Sequence, residues 1–368
     1  MTRKIRVGLL FGGRSGEHEV SLASAASVLA ELDPDKYDVV GIGITRHGRW
    51  LMSSSPEHLL RQEVTLELPD TVEVAPDFAH GSIVPVNGHA AIADLPETPI
   101  DIIFPVLHGP FGEDGTVQGF FEIAGLPYVG SGVLGSAVSM DKVMMKNLFA
   151  QAGLPQVAYR LVRTLRWERE RQATVHELED ALQYPLFVKP CNLGSSVGIS
   201  KAHDREELCG ALDVAARFDR RIIVEQGIDA REVECSVLGD DEPLVSVAGE
   251  IVSHHEFYDY DAKYTDGLAD LQIPAGLTRE QTQTVQDLAV QAFEAVDAAG
   301  LARVDFFVRR ADGAVLVNEI NTMPGFTRTS MYPKLWEATG VPYRELLDRL
   351  IQLAFRRHER RRQQATHR

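Results

Sequence analysis

The stretch RVDFFVRRADGAVLVNEINTMPGF, residues 303–326, carries acidic and amide side chains within two otherwise apolar segments. We predict two strands joined by a three-residue loop, Ala311 to Gly313, with the glycine in the left-handed conformation. If the pairing is centred on the middle residue of that loop, Asp305 lies directly opposite Glu319. Two carboxylates that face each other across a ladder are destabilising unless a cation lies between them.

Asn321 is the third oxygen-bearing residue of this hairpin. It lies two residues beyond Glu319, so both side chains occupy one face of their strand, and the same pairing places Arg303 opposite Asn321. Oxygen ligands without cysteine or histidine suit a hard cation, and so few of them leave room for water and phosphate oxygens, as around Mg²⁺. We predict a metal site at Asp305, Glu319 and Asn321. The alternative is a solvated polar face with Arg303 as the counter-ion.

Groups that could bind a nucleotide occur between residues 142 and 232. In KPCNLGSSVG, Lys189 ends an apolar strand, and the Gly-Ser-Ser turn that follows could wrap phosphate oxygens with its N–H groups and hydroxyls. The spacing is not the Walker pattern, so a plain hairpin turn remains an alternative. Lys142 is either a second phosphate contact or a surface helix lysine. Glu225 is either a contact to an adenine edge or a strand-end charge. Glu232 is either a ribose contact or an exposed residue beside Arg231.

The elements around these groups must bring them together. IRVGLLF, YDVVGIGIT and IDIIFPVLHG are predicted to be buried strands and EHEVSLASAASVLAEL a helix, which is the pattern of a parallel α/β sheet. Glu17 and His108 follow two of these strands, at the edge where such sheets bind ligands. The segment YDYDAKYTDG, residues 258–267, is too polar for a core and is expected to be a loop that closes over a site.

The chain has 368 residues, which is too long for one ordinary core. We predict three domains, an N-terminal α/β substrate-binding domain (1–130), a small central α+β domain (131–228) and a C-terminal domain with the metal site and the loop that closes (229–368). The basic run FRRHERRRQQATHR is expected to be the solvated end of a helix.

Composition limits the class of protein. A net charge of −16 argues against a nucleic-acid partner. The three cysteines have no paired spacing, which argues against a disulfide framework or a zinc site. Neither a signal-peptide pattern nor a run of eighteen apolar residues is present, so no membrane span is expected. We therefore expect a reduced, cytoplasmic enzyme or binding protein.

Eight stretches, in their order along the chain, resemble the ATP-grasp ligases and, among them, the D-alanine–D-alanine ligase family. They extend from about residue 7 to about residue 333 and are GGRSGEHEVSL, HGPFGEDGTVQG, GSGVLGSAVSMDK, KPCNLGSSVGISK, EQGIDAREVECSVLG, EFYDYDAKYTDG, RVDFFV and NEINTMPGFTRTSMYP. The resemblance implies an ATP-grasp fold with α/β and α+β parts and an N-terminal Rossmann-like parallel sheet. It also implies ATP-dependent joining of two D-alanine molecules through an acyl phosphate, for peptidoglycan precursor synthesis.

The resemblance further implies ATP as co-substrate, two Mg²⁺ or Mn²⁺ ions with Glu319 bridging them, and a homodimer. The residues that it implies for the nucleotide are Lys142, Lys189, Ser196 and Lys263 near the phosphates, Glu225, Gln226 and Ile228 near the adenine, and Glu232 near the ribose.

Substrate contacts follow from the same resemblance. Those implied for the first D-alanine are Glu17, oriented with Ser195 and Tyr264, and His108 nearby; those for the oxyanion are Arg303 and Gly325; those for the second D-alanine carboxylate are Ser330 and Met331. A relative that uses D-lactate or D-serine as the second substrate is the alternative function. Tyr264 argues against D-lactate, because relatives that form the ester commonly have phenylalanine at this position.

Overall fold

The computed structural model describes residues 3–61, 64, 72–77, 82–85, 100–194, 197–253 and 269–364. A six-stranded first sheet is formed by β1 (Ile5–Gly12), β2 (Tyr37–Ile44), β3 (Trp50–Ser53), β4 (Val72–Asp77), β5 (Ser82–Pro85) and β6 (Ile102–Pro105), in the spatial order β5-β4-β3-β2-β1-β6. Strand β1 pairs in parallel with β2 and β6, as predicted. Strands β3 to β5 add to this parallel core in antiparallel pairing.

Helices cover this sheet and lead into the middle of the chain. They are α1 (His18–Glu31), α2 (Pro56–Arg61), α3 (Thr116–Ala124), α4 (Val133–Met140) and α5 (Lys142–Gln151). Helix α1 buries a face of small residues that includes Ser21, Ser24 and Ala25. Small side chains let the helix approach β1 closely, and Ser21 Oγ accepts from Gly12 N at 2.8 Å. The same hydroxyl donates to the Val106 carbonyl, just after β6, and so joins the segments that follow the two strands.

The second sheet is antiparallel and has the order β7-β10-β8-β9. Its strands are β7 (Tyr159–Arg163), β8 (Leu186–Pro190), β9 (Ser200–Ala202) and β10 (Arg221–Gln226), and its helices are α6 (Thr164–Arg169), α7 (Arg171–Ala181) and α8 (Arg205–Ala215). Leu186 and Val188 are buried in the cluster that these helices cover. Because side chains alternate along a strand, Lys189 points to the opposite face, toward the cavity described below.

The third sheet is also antiparallel, with the order β13-β12-β11-β14-β15. Its strands are β11 (Ala230–Gly239), β12 (Leu244–Ser253), β13 (Ala269–Gln272), β14 (Gly300–Arg309) and β15 (Val315–Asn321), and helix α9 (Arg279–Ala295) covers one face. Along β14, Val304, Phe306 and Val308 are buried in the cluster beneath α9. The residues between them therefore face away from that core.

The predicted hairpin register is confirmed, although the loop differs from the prediction. Asp305 lies opposite Glu319 and Arg303 opposite Asn321. The loop has four residues, because Arg309 N donates to the Ala314 carbonyl at 2.9 Å. A bulge between the pairs Asp305–Glu319 and Phe306–Val317 then shifts the register by one residue. Gly313 has the predicted left-handed conformation, with φ 73°.

The last two helices, α10 (Met331–Ala338) and α11 (Tyr343–Gln363), return to the first sheet. Leu350 and Ile351 of α11 share one hydrophobic cluster with Val7 and Phe104. The division into three domains therefore stays a prediction, since the end of the chain packs with its beginning.

The C-terminal end of α11 packs against the segment that follows α3. The basic helix end is not simply solvated: Arg357 donates to the carbonyls of Gly130 and Tyr128, and its guanidinium lies 4.6 Å from the Tyr128 ring centroid. Cys191, Cys209 and Cys235 are all free thiols. None of the helices in the described ranges combines the length and apolarity that a membrane span requires.

Candidate active site

A cavity of about 1050 Å³ is lined by residues of the second and third sheets and of the segments that follow β1 and β6. Every predicted site residue within the described ranges lies in its wall; these are Glu17, His108, Lys142, Lys189, Glu225, Gln226, Ile228, Glu232, Arg303, Asp305, Glu319, Asn321, Gly325, Ser330 and Met331. The predicted residues outside the described ranges are Ser195, Ser196, Lys263 and Tyr264, with the loop 258–267.

The hairpin forms a charged network at this wall. Arg303 Nε and Nη2 donate to the two oxygens of Asp305, each at 2.7 Å, and Nε lies 3.0 Å from Glu234 Oε2 on β11. Asn321 Nδ2 lies 3.1 Å from Asp305 Oδ2. Burial disfavours the charge on Arg303, but Asp305, Glu234 and Glu319 outweigh it and raise the pKa of the guanidinium well above its usual range. Arg303 is therefore a permanent cation beside the predicted metal ligands.

The donor chemistry of the hairpin suits a hard cation. Within the described part of the chain, no group of three or more His, Cys, Asp or Glu side chains is arranged to hold a metal ion. Two carboxylates and one amide, Asp305, Glu319 and Asn321, form a sparse oxygen set that fits an ion which keeps water and phosphate ligands. In this structure Arg303 is the counter-ion of Asp305, as the alternative interpretation holds. The two bonds from Arg303 use only part of the lone-pair capacity of the Asp305 carboxylate, so the pair leaves Asp305 able to coordinate an ion.

Glu225 connects two lysines at the back of the cavity. Its Oε2 lies 2.5 Å from Lys189 Nζ, and its Oε1 lies 2.8 Å from the ammonium of Lys146, a fully buried residue of α5. Burial raises the pKa of the Glu225 carboxyl, but Lys146 and Lys189 together lower it to about 2. The pKa of Lys189 is raised, because Glu225 and Glu319 outweigh the opposing effect of burial. Glu225 and Lys189 are therefore both charged at neutral pH.

Lys142 lies between the Gly-Ser turn and the hairpin. It is the first residue of α5, whose N-terminus is capped by the Asp141 carboxylate accepting from Val143 N and Met144 N. Its Nζ donates to the Leu193 carbonyl at 2.8 Å and lies 3.9 Å from Glu319 Oε2. The side chain is only 12% exposed, so the surface-lysine interpretation is wrong. Its position beside the turn and the hairpin suits a phosphate contact.

The segments after β1 and β6 contribute a buried histidine and two acids. His108 Nε2 lies 3.0 Å from Ser24 Oγ, and its Nδ1 lies 3.1 Å from the Met323 carbonyl and 3.5 Å from Glu113 Oε1. Burial lowers the pKa of His108, but Glu113 and Glu17 outweigh it and raise that pKa. Burial also raises the pKa of Glu113, and the nearby Glu17 adds to this effect.

Glu17 is fixed by close backbone approach. A Cβ at Gly109 would lie 2.4 Å from Glu17 Oε2, and a Cβ at Gly194 would lie 3.0 Å from it. Gly109 also has φ 72°, so two independent constraints favour glycine there. The carboxylate is 9% exposed and faces the cavity, where it can receive an ammonium group.

Ser330 closes the wall at the start of α10. Its Oγ accepts from Thr327 N at 3.0 Å, and its own N–H donates to the Thr327 carbonyl at 3.0 Å. A Cβ at Gly325 would lie 2.8 Å from Ser330 Oγ. This compact turn holds backbone N–H groups and a hydroxyl at the helix N-terminus, an arrangement that suits a carboxylate.

Comparisons with known proteins bear on the same residues. The family model for the D-ala D-ala ligase N-terminus matches residues 6–131, and the model for the D-ala D-ala ligase C-terminus matches residues 148–352. The chain belongs to the D-alanine–D-alanine ligase family. This confirms the resemblance, the ATP-grasp fold and the expectation of a ligase.

Individual relatives of this ligase cover nearly all of it. The D-alanine–D-alanine ligase of Heliobacterium modesticaldum is 52% identical over 99% of this chain and 98% of its own, and that of Geobacillus thermodenitrificans is 52% identical over 97% of each. Among solved structures, the D-alanine-D-alanine ligase from Coxiella burnetii has a TM-score of 0.84 at 36% identity, covering 98% of this chain and 96% of the other. The VanG D-Ala:D-Ser ligase from Enterococcus faecalis has a TM-score of 0.85 at 35% identity, covering 96% and 100%.

Three charged residues in or beside the cavity were not predicted from sequence. Lys146 and Glu234 are buried, and their charged partners Glu225 and Arg303 lie far from them along the chain, so the sequence alone did not indicate these pairs. Glu113 lies in HGPFGEDG, a stretch that carried the resemblance without a role for this residue. A signal existed for Lys146, since a lysine four residues after Lys142 lies one helical turn along.

Proposed function

We propose that this ligase joins two D-alanine molecules at the expense of ATP, giving D-alanyl-D-alanine, ADP and phosphate for peptidoglycan precursor synthesis. The observation that carries the proposal is the common cavity: the hairpin oxygens, the cationic Lys142 and Lys189, and the acidic Glu17 all line it. Such a set can accommodate a polyphosphate and an amino acid together.

In the first step, the carboxylate of one D-alanine attacks the γ-phosphorus of ATP and forms an acyl phosphate. Lys142 and Lys189 neutralise the phosphates, while Glu17 holds the ammonium group so that the carboxylate points toward the phosphorus. Asp305, Glu319 and Asn321 would hold two Mg²⁺ or Mn²⁺ ions, which supply further neutralisation of the phosphate charge.

In the second step, the amine of the other D-alanine attacks the acyl carbonyl and phosphate leaves. Arg303 and the Gly325 N–H stabilise the oxyanion, and the turn at Ser330 and Met331 receives the carboxylate of the second substrate. Because acyl phosphates hydrolyse, water must be excluded. We assign that task to the loop 258–267, which lies outside the described residues together with Lys263 and Tyr264.

A D-alanine–D-serine or D-alanine–D-lactate ligase is the second candidate. The D-serine form has the structural similarity to the VanG D-Ala:D-Ser ligase behind it, at 35% identity, whereas the D-alanine–D-alanine ligase of Heliobacterium modesticaldum is 52% identical to this chain. Tyr264 argues against the D-lactate form. We further propose that the ligase is a cytoplasmic homodimer without a nucleic-acid or membrane partner, as the composition and the resemblance imply.

Phosphate release tests these candidates directly. Purified protein with ATP and Mg²⁺ is given D-alanine, D-lactate, D-serine and L-alanine, singly and in pairs, and the products are separated and weighed by mass spectrometry. We expect phosphate and D-alanyl-D-alanine with D-alanine alone. A mixed product in excess over the homodipeptide would favour the second candidate. Absence of phosphate release with every substrate would indicate an ATP-binding module without ligase chemistry.

A further inference from the structure

Lys146 is a charged residue inside the protein that does not line the cavity. Its side chain is 2% exposed, and it lies on the buried face of α5 beside Met145 and Phe149. Lysine is almost never fully buried unless it is paired, because removing an ammonium group from water is costly. The partners of Lys146 therefore indicate why it is there.

One partner belongs to the edge of the third sheet. Strand β15 pairs only with β14 among the described strands, so its outward backbone groups need other partners. Val317 N donates to the Pro155 carbonyl at 2.8 Å, and Ile320 N lies 3.4 Å from Met145 Sδ. The Asn318 carbonyl accepts from Lys146 Nζ at 3.1 Å. This bond fixes the ammonium at the bulge of the hairpin.

The other partner is Glu225, whose two oxygens are divided between two lysines. Lys146 takes Oε1 at 2.8 Å and Lys189 takes Oε2 at 2.5 Å. The trio carries a net charge of +1, since two ammonium groups face one carboxylate. Without Lys146, the charge of Glu225 would offset that of Lys189, and the net charge of the remaining pair would be zero.

We propose that Lys146 is a positioning residue of the nucleotide site, which shares the Glu225 carboxylate so that the charge of Lys189 stays available to the phosphates of ATP. The inference rests on the proposed ATP-binding function of the cavity. Lys146 acts through Glu225 and does not touch the nucleotide. Its effect should therefore depend on the phosphates of the ligand and on the presence of a charge at residue 225.

Calorimetric titration with ATP and with adenosine, at fixed Mg²⁺ and without D-alanine, tests this dependence. For Lys146→Met we expect ATP affinity to fall roughly tenfold to hundredfold, the usual effect of one neighbouring charge in a buried site. Adenosine affinity should change by less than about twofold, within ordinary non-additivity. The control is Lys4→Met, which removes an exposed lysine and should bind both ligands like the wild type.

The double variant Lys146→Met/Glu225→Gln separates positioning from a merely structural role. It removes the charges of Lys146 and Glu225 together, so no carboxylate offsets the charge of Lys189. The preference of the double variant for ATP over adenosine should therefore return to within about twofold of the wild type. This variant also decides the matter if Lys146→Met alone does not fold, because replacing both partners leaves no unpaired buried charge from that pair.

Several results would overturn the inference. They are an unchanged ATP affinity in Lys146→Met, equal losses for ATP and adenosine, or a double variant that keeps a low preference for ATP. Wild-type protein that fails to bind ATP at all would instead contradict the proposed function.

Discussion

The cavity has two sides that are built in different ways. The strand side consists of groups on β8, β10, β14 and β15, such as Lys189, Glu225 and Asp305. The loop side consists of groups that follow β1 and β6, chiefly Glu17 and His108. On the strand side, successive side chains alternate between the two faces of a sheet, so each functional group points away from the core into which its neighbours pack. The hydrogen bonds between strands fix its position along the sheet. On the loop side, position depends on glycine geometry and on contacts between segments distant in sequence.

The two sides also differ in charge balance. Each acid of the strand side has a cation within ion-pair distance: Arg303 for Asp305 and two lysines for Glu225. On the loop side the acids Glu17 and Glu113 lie near one histidine, and the pKa of Glu113 is raised by burial and by Glu17. The strand side therefore balances its acids with neighbouring cations, whereas the loop side places two acids beside a single histidine.

The largest expected effect concerns the hairpin of the strand side. Glu319→Gln should lower turnover by about a thousandfold, because an amide would replace the carboxylate proposed to bridge both ions, and metal contacts contribute several kcal/mol. The fold should persist, since Glu319 lies outside the hydrophobic clusters. Phosphate release and thermal unfolding check both parts.

Asp312→Asn, in the exposed loop of the same hairpin, is the matched control and should keep wild-type turnover. Full activity of Glu319→Gln at saturating Mg²⁺ would exclude the two-ion assignment.

The second effect concerns the pH dependence of stability on the strand side. The folded pKa of Glu225 lies at about 2 against an ordinary value of 4.5, so its stabilisation is present above pH 4.5 and is lost as pH falls toward 2. The difference in unfolding free energy between wild type and Glu225→Gln should shrink by about 2 kcal/mol between pH 6 and pH 3. Urea denaturation at several pH values measures it; a difference that is constant with pH would contradict the ion-pair description.

The third effect tests whether glycine geometry positions the loop side. Gly109→Ala should raise KM for the first D-alanine about tenfold, because the new Cβ would displace the Glu17 carboxylate and weaken a charged hydrogen bond. Gly125→Ala is the matched control: its φ of 66° imposes similar backbone strain, but a Cβ there meets no atom within 4 Å. Initial rates against D-alanine separate the two, and equal KM values would show that Glu17 does not hold the substrate.

The smallest effect concerns the second anchor of Arg303. Glu234→Gln should lower kcat about fivefold with KM for ATP unchanged, because a charged partner is lost while Asp305 remains. Glu250→Gln, which alters the pair with Arg231 on the neighbouring strand, should leave kcat unchanged. A change in KM for ATP alone would indicate that Glu234 acts in nucleotide binding and does not support Arg303 at the oxyanion.

More of the strand side than of the loop side could be predicted from the sequence. The opposition of Asp305 and Glu319 followed from strand periodicity and one glycine turn. The prediction of a three-residue loop was wrong, and the bulge was not predicted. The fourth loop residue and the bulge shift the register in opposite directions, so the predicted pairing of Asp305 is still correct. His108 and Glu17 were placed at a sheet edge, but Glu113, the partner of His108, was not identified, because its contact depends on the path of a glycine-rich loop.

The sequence by itself determined the parallel strands β1, β2 and β6, the face of each strand that carries polar groups, the hairpin register near the carboxylates, and the family. These depend on local periodicity and short turns, which neighbouring residues specify. Only the tertiary structure decided which lysines share Glu225, that Arg303 forms an ion pair with Asp305, and that α11 packs on the first sheet. Those contacts join residues far apart along the chain, and burial and charge pairing select them only once the sheets are packed together.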